Sequence, residues 1–230
     1  MAATEGKLNI FVADTPNGKK IILAAEELGL DYDVKAIRLS AGEQKSPEFL
    51  AVNPNGKIPA IVDARGEKPV NVWESGAILL HLAEGTDLLP SEPTARASAL
   101  SWLFLQQTGL GPNAGNLYHF LTKKEEAGAY SLQRFGQETK RILEVIEGRL
   151  ATSPFLAGEA LTVADVSHFH WLAAILTRLP AAFPEATAEL GLSAEAFPSI
   201  SKWVKEMSGR PSVAATEAVF ASDAFKTPAE

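Results

Sequence analysis

Apolar positions in the first ninety residues alternate between strand-like and helix-like spacing. Residues 7–13 (KLNIFVA) form a short β-branched and aromatic run, the signature of a strand. The run stops at Asp14-Thr15-Pro16, where Thr15 suits a helix N-cap and Pro16 the first helical position, in which its missing N–H costs nothing. Ile21, Ile22, Ala25 and Leu28 then share one side of a helix that ends at Gly29. Strands are predicted at 32–37, 58–63 and 70–73, with a short helix at 47–50 and another over about 76–84. The order is β-α-β-α-β-β-α. A helix between strands implies a parallel pair, and the short gap between 63 and 70 implies a hairpin.

Leu89-Pro90-Ser91-Glu92-Pro93 interrupts this alternation, with two prolines in four residues and no apolar periodicity. Beyond it the pattern is helical. Leu100, Leu103, Phe104 and Gln107 mark a helix over 94–108, and Leu132, Phe135, Thr139, Ile142, Leu143, Ile146 and Leu150 recur at three- and four-residue steps over 130–150. Further helices are predicted at 162–178, 199–208 and 211–220, and the tail after Ala221 reads as irregular. The expected organisation is a first domain over 1–88 and an all-α domain over 95–230.

Composition narrows the chemistry. Hydrophobic residues make up 46% and charged residues 21%, and no apolar run reaches the length of about eighteen needed to span a membrane. MAATEGKLNI has no basic segment followed by an apolar one, so a cytoplasmic protein without a secretory signal is expected. The net charge of −7 argues against nucleic acid or an anionic membrane as partner, and the Lys19–Lys20 pair reads as a solvated face. Cysteine is absent, so thiol chemistry has to use sulfur brought in by a cofactor. None of the four histidines sits in a zinc-site spacing, and no metal is expected.

Two segments carry chemistry. In Asn53-Pro54-Asn55-Gly56-Lys57-Ile58-Pro59-Ala60-Ile61-Val62-Asp63 a proline opens a β-branched strand, where it cannot donate to a ladder. If the Ile58–Pro59 bond is cis, Ile58 offers its backbone N–H and C=O to a strand-like partner, such as a peptide. Sixteen residues beyond Pro59, Glu74-Ser75-Gly76 opens a helix. Ser75 suits its N-cap, the N–H groups beyond form an anion site, and Glu74 could take an ammonium group. Together, N-P-x-G-K-[IV]-P followed by E-S at this spacing resembles the glutathione site of soluble glutathione transferases.

That resemblance implies a thioredoxin-like N-terminal domain with a mixed four-stranded sheet, an all-α second domain, and glutathione as cofactor. It implies that Ile58, beside cis-Pro59, pairs with the cysteinyl backbone of glutathione, and that Glu74 and Ser75 hold its γ-glutamyl end. Lys57 looks like a contact for the glycyl carboxylate, although it also reads as a solvated strand-end lysine. In the second half, Thr162-Val163-Ala164-Asp165 before an apolar run is a capping box similar to the one at the core of the transferase second domain.

Thr15-Pro16-Asn17-Gly18-x-Lys20 looks like the Nu-class bacterial transferases and the fungal nitrogen-regulator-like branch, as do Trp73–Leu80, Leu105–Pro112 and the region from Tyr130 to Arg134. The resemblance then implies that Thr15 and Asn17 approach the glutathione sulfur. It also implies a homodimer in which an arginine like Arg134 reaches from the partner subunit to the cofactor. Thr15 cannot act as a base, so its role is hydrogen-bond donation to a thiolate, helped by the positive end of the helix. The electrophile pocket is expected at the domain interface, with Phe104, Leu110, Tyr118, His119, Phe120, His168 and Trp171 as candidates. Three functions stay open: conjugation to an electrophile or reduction of disulfides or peroxides, cis-trans isomerisation of a double bond in secondary metabolism, and non-catalytic glutathione-dependent regulation. The fungal regulators carry an Asn/Gln-rich extension, whereas this chain begins about six residues before its first strand; that lowers the regulatory reading.

Overall fold

A computed structural model describes residue 4 and residues 6–225, without the side chains of 124 and 127. Of the tail expected to be irregular, Asp223–Phe225 forms a 3-10 turn, and 226–230 lie outside the described residues. Among the described residues no helix is long and apolar enough to cross a membrane. The chain divides into two compact units. One runs to Leu89 and also takes in Gly209 onward; the other is Pro90–Ser208.

The first unit contains β1 (Leu8–Val12), α1 (Pro16–Glu27), β2 (Tyr32–Ala36), α2 (Pro47–Leu50), β3 (Ala60–Asp63), β4 (Val70–Trp73) and α3 (Ser75–Ala83). The strands lie in the order β2-β1-β3-β4, with β1–β2 parallel and both β1–β3 and β3–β4 antiparallel. This is the mixed thioredoxin-like sheet that the strand and helix order implied. All five residues of β1 are buried, as befits a central strand, while β2 and β4 take the edges. Phe11, Ala60 and Val62 share a core with Ile37 and Phe49 of α2, where the Phe11 and Phe49 rings meet edge to face at 6.1 Å. Alternation along the strands leaves Ile10 and Ile61 on the opposite face, where α1 packs on β1 and α3 on β3. The third strand starts at Ala60 rather than 58, because Pro59 has no N–H to give the ladder.

The second unit is helical, as expected, with α4 (Pro93–Phe104), α5 (Gly111–Thr122), α6 (Lys124–Leu150), α7 (Val163–Ala173), α8 (Leu179–Ala182), α9 (Pro184–Leu190) and α10 (Pro198–Ser208). Helix α5 has no counterpart in the sequence reading, which ends its first helix of this half at residue 108. The chain instead continues through a π segment, Leu105–Leu110, and Pro112 falls in the first turn of α5, where proline is tolerated. Helix α6 is broken at Gly128 (φ 68, ψ 155), so its regular length matches the stretch predicted from residue 130. The capping box opens α7 as predicted. Asp165 is fully buried and accepts from the backbone N–H groups of Leu156 (2.9 Å) and Thr162 (3.0 Å).

Helix α11 (Pro211–Ala221), placed by chain order with the helical half, packs on α1 of the first unit. Lys19 and Lys20 are also not the solvated face the sequence suggested: they are 3% and 0% exposed.

Candidate functional site

Strand register places three chain segments side by side. Phe11 pairs with Ala60, and Ala60 with Trp73. Therefore β1 ends, β3 begins and β4 ends at one margin of the sheet. The turn after β1 carries Thr15 and Asn17, the loop before β3 carries Lys57, Ile58 and Pro59, and the turn after β4 carries Glu74 and Ser75. With neighbouring strands about 4.8 Å apart, the three segments span about 10 Å.

Thr15 is the N-cap of α1 in extended conformation, and its hydroxyl accepts from the Gly18 N–H at 3.1 Å. The Thr15 hydroxyl lies 3.5 Å from the Ala13 carbonyl, a long contact that leaves its hydrogen weakly engaged. Asn17 follows Pro16 in the first turn and is half-buried. A Cβ on Gly18 would stand 2.2 Å from the Ala13 carbonyl oxygen, so only glycine lets the helix start this close to the strand end.

The Ile58–Pro59 bond is cis. The loop before it is braced by Asn53, which is 1% exposed. The Asn53 amide donates to the Lys57 carbonyl at 2.6 Å, and its side-chain oxygen accepts from Asn55 N at 2.9 Å. Gly56 takes φ +62, which glycine adopts without steric cost, and a Cβ there would meet Lys45 Nζ at 2.7 Å. Ile58 precedes β3 and lies outside its ladder, half-buried, while the Lys57 side chain is exposed.

The turn after β4 departs from expectation. Ser75 is the first residue of α3, not its N-cap; Glu74 holds the cap position with φ 67 and ψ 119. Among the described residues Glu74 is the sole non-glycine with positive φ, a conformation that costs of order 1–3 kcal/mol and clusters at ligand sites. It turns Ser75 inward, where the residue is 4% exposed, and leaves Glu74 exposed. The Asn55 amide donates to the Glu74 carboxylate at 3.3 Å, linking this turn to the cis-proline loop. Lys20 also addresses Glu74 from inside α1. Burial pushes the Lys20 ammonium down to about 7, and the Glu74 carboxylate pulls it partly back. The margin thus presents a carboxylate, a helix start and an unladdered backbone edge beside a capped turn.

Residues 8–84 match the glutathione S-transferase N-terminal domain, and residues 102–211 its C-terminal domain. The chain belongs to the glutathione transferase family. It is 39% identical over 208 residues to the disulfide-bond oxidoreductase YfcG of Escherichia coli K12, covering 89% of this chain and 91% of that protein. Among solved structures it resembles a glutathione transferase family member from Pseudomonas fluorescens Pf-5 with two glutathione bound, at a TM-score of 0.84, 34% identity and 94% coverage of both chains. It also resembles Ure2p in complex with glutathione, at a TM-score of 0.81 and 29% identity, covering 94% of this chain and 100% of that one. These relatives place it on the bacterial and Ure2-like branch of the glutathione transferase family.

Seven of the eight residues singled out from sequence lie in the first unit of this glutathione transferase fold, at the sheet margin described. The eighth, Arg134, is exposed on α6 in the second unit. Of the pocket candidates, Leu110 and His168 are fully buried core, whereas Phe104 and Tyr118 are 52% and 55% exposed. Sequence reasoning missed Asn53, Asn55 and Lys20. The asparagines sit inside the motif already quoted and could have been found from the side-chain-to-backbone bonding typical of Asn in turns. Nothing in a Lys-Lys pair signals burial.

Proposed function

We propose that the protein binds glutathione across the β1–β3–β4 margin and uses it to reduce disulfides. The observation that carries this reading is a helix start, capped by Thr15, at the sheet margin of a chain that has no cysteine of its own. Relatives named for disulfide-bond oxidoreduction, and a similar structure holding two glutathiones, support reduction over conjugation. The fit is geometric as well: an extended tripeptide spans about 10 Å, the width of the three segments.

Glutathione supplies two thiols, one cleaving the substrate disulfide and the second releasing the glutathionyl half, so that two glutathiones and one disulfide give glutathione disulfide and two thiols. The chain's residues bind, orient and ionise. Glu74 takes the γ-glutamyl ammonium, while the Ser75 hydroxyl and the first N–H groups of α3 take the γ-glutamyl carboxylate. Ile58 pairs through its backbone with the cysteinyl residue, and Lys57 reaches for the glycyl carboxylate. Thr15 and Asn17 donate hydrogen bonds to the sulfur and hold it as a thiolate. Arg134 comes from the second subunit of a homodimer.

The test is product analysis by mass spectrometry with glutathione and hydroxyethyl disulfide, a halonitroarene, cumene hydroperoxide or a conjugated enone. Catalysed formation of mercaptoethanol and glutathione disulfide is expected. An enzyme that yields only a one-glutathione adduct of the halonitroarene is a conjugating transferase and sinks the reductase reading. Unchanged enone mass with a shifted retention time marks an isomerase and does the same.

A further inference from the structure

Helix α11 lies antiparallel along α1 and is tied to it at both ends. At the far end from the site, the Arg210 guanidinium donates to both Glu27 carboxylate oxygens at 2.6 and 2.7 Å, and the Ser212 hydroxyl also donates to Glu27. At the near end, Lys19 is the tie. Its side chain is only 4% exposed, and its Nζ lies 2.6 Å from Glu217 Oε2 and 3.4 Å from Asp14 Oδ1. The same ammonium lies 5.4 Å from the centre of the Phe220 ring, a cation–π distance. Asp14 precedes Thr15, and Lys19 donates its backbone N–H to the Thr15 carbonyl at 2.9 Å. One buried cation therefore links Asp14, at the head of the segment that carries Thr15 and Asn17, to the C-terminal helix, and its short ion pair is with that helix.

We infer that Glu217 is a positioning residue for the thiol site: through Lys19 it fixes the Asp14–Asn17 turn from a helix about 200 residues away in sequence. The inference rests on the proposed role of Thr15 and Asn17 toward the glutathione sulfur. A buried ammonium needs compensating negative charge. With Glu217 neutralised, Lys19 keeps Asp14 at 3.4 Å and closes on it, drawing the Asp14–Thr15 peptide with it. Thr15 and Asn17 lose their aim before the fold does.

The test compares Glu217→Gln, Lys19→Met and their double variant with Glu27→Gln, which loosens the same helix pair at its other end. The thiol pKa of bound glutathione is followed by absorbance near 240 nm. In ligand-free protein, amide exchange is followed through residues 14–19. In Glu217→Gln the thiol pKa should rise by about half a unit, a threefold fall in ionisation, and the turn amides should exchange faster. In a Lys19→Met background Glu217→Gln should add nothing. Glu27→Gln should lower thermal stability and leave the thiol pKa and the turn amides unchanged. A fall in thiol pKa would show that the sulfur feels the charge of Glu217, not its hold on the turn, and would overturn the inference. So would equal effects from Glu217→Gln and Glu27→Gln, or additive effects in the double variant. If the wild type gives no thiolate band with glutathione, the proposed function fails. Amide exchange in the ligand-free protein still decides whether Glu217 holds the turn.

Discussion

Lys20 offers the sharpest quantitative test of the structure. Its side chain is wholly inaccessible, and burial lowers its pKa from an ordinary 10.5 to about 7 against the pull of Glu74. Unfolded, the lysine keeps its proton to about pH 10.4; folded, it gives the proton up from about 7. Between those values the unfolded state binds more protons, so the Lys20 contribution to stability rises with pH. Below pH 7 both states are protonated and the contribution is flat at its least favourable. Lys20→Met removes the titration while keeping an unbranched side chain in the space. The stability difference, wild type minus Lys20→Met, should grow by about 2.5 kcal/mol between about pH 7.5 and about pH 9.5, at 1.36 kcal/mol per unit less the residual folded-state protonation. Other groups with large shifts stay out of this window. Asp165 is raised by burial to about 6, and Tyr32 is raised well above its ordinary value by burial and by Glu26. Urea unfolding at several pH values, followed by circular dichroism, gives the difference directly. A difference that stays constant across the window would refute the depressed Lys20 pKa: either the ammonium is not desolvated or the Glu74 carboxylate offsets its burial in full.

Three further outcomes are expected. Removing Glu74 and Ser75 together, as Glu74→Ala with Ser75→Ala, should weaken glutathione binding by about 2–5 kcal/mol in calorimetry, because it strips hydrogen-bonded charge partners; unchanged affinity would remove the basis of the site. Thr15→Val and Asn17→Ala should each raise the thiol pKa of bound glutathione, by about one unit or roughly 1.4 kcal/mol for Thr15→Val, and a shift from Asn17→Ala alone would reduce Thr15 to a helix cap. Asp165→Ala should destabilise by about 2–6 kcal/mol in urea unfolding, since the buried N–H groups of Leu156 and Thr162 lose their acceptor at about 1–3 kcal/mol each.

What the sequence showed and hid follows from range. The alternation of periods before residue 89 gave the sheet and its crossover, because each element's apolar face is a local property. The Pro59 and Glu74–Ser75 segments were visible because turn and cap chemistry is written within a few residues. Ser75 was nevertheless placed one position off, since no local rule assigns positive φ to a glutamate; that conformation is imposed by its surroundings. Lys19 and Lys20, about 100° apart on α1, would lie on the polar side of an isolated helix. Lys19 is covered instead by a helix from the far end of the chain, α11, which packs on α1 although its place in the order groups it with the helical half. Helix α5 was hidden by Gly111-Pro112, whose effect depends on the π segment before it.

The magnitudes also say which part of the proposed thiol site would matter most. Lowering a thiol pKa by two units takes about 2.7 kcal/mol of differential stabilisation, within reach of two hydrogen bonds to a charged sulfur at about 1.5 kcal/mol each. Yet nucleophilicity falls as pKa falls, with a slope of about 0.4–0.5, so ionisation yields no more than about tenfold in rate. Holding sulfur and disulfide in attack geometry can lower a barrier by about 7–11 kcal/mol. Placement therefore outweighs acidity. Substitutions that move the Asp14–Gly18 turn without removing a donor should then cost more in turnover than their thiol pKa shifts account for. On the proposed reading, the close seating of Gly18 on the Ala13 carbonyl, the bracing of the cis-proline loop by Asn53 and the hold of Lys19 on both Asp14 and Glu217 would all act on placement.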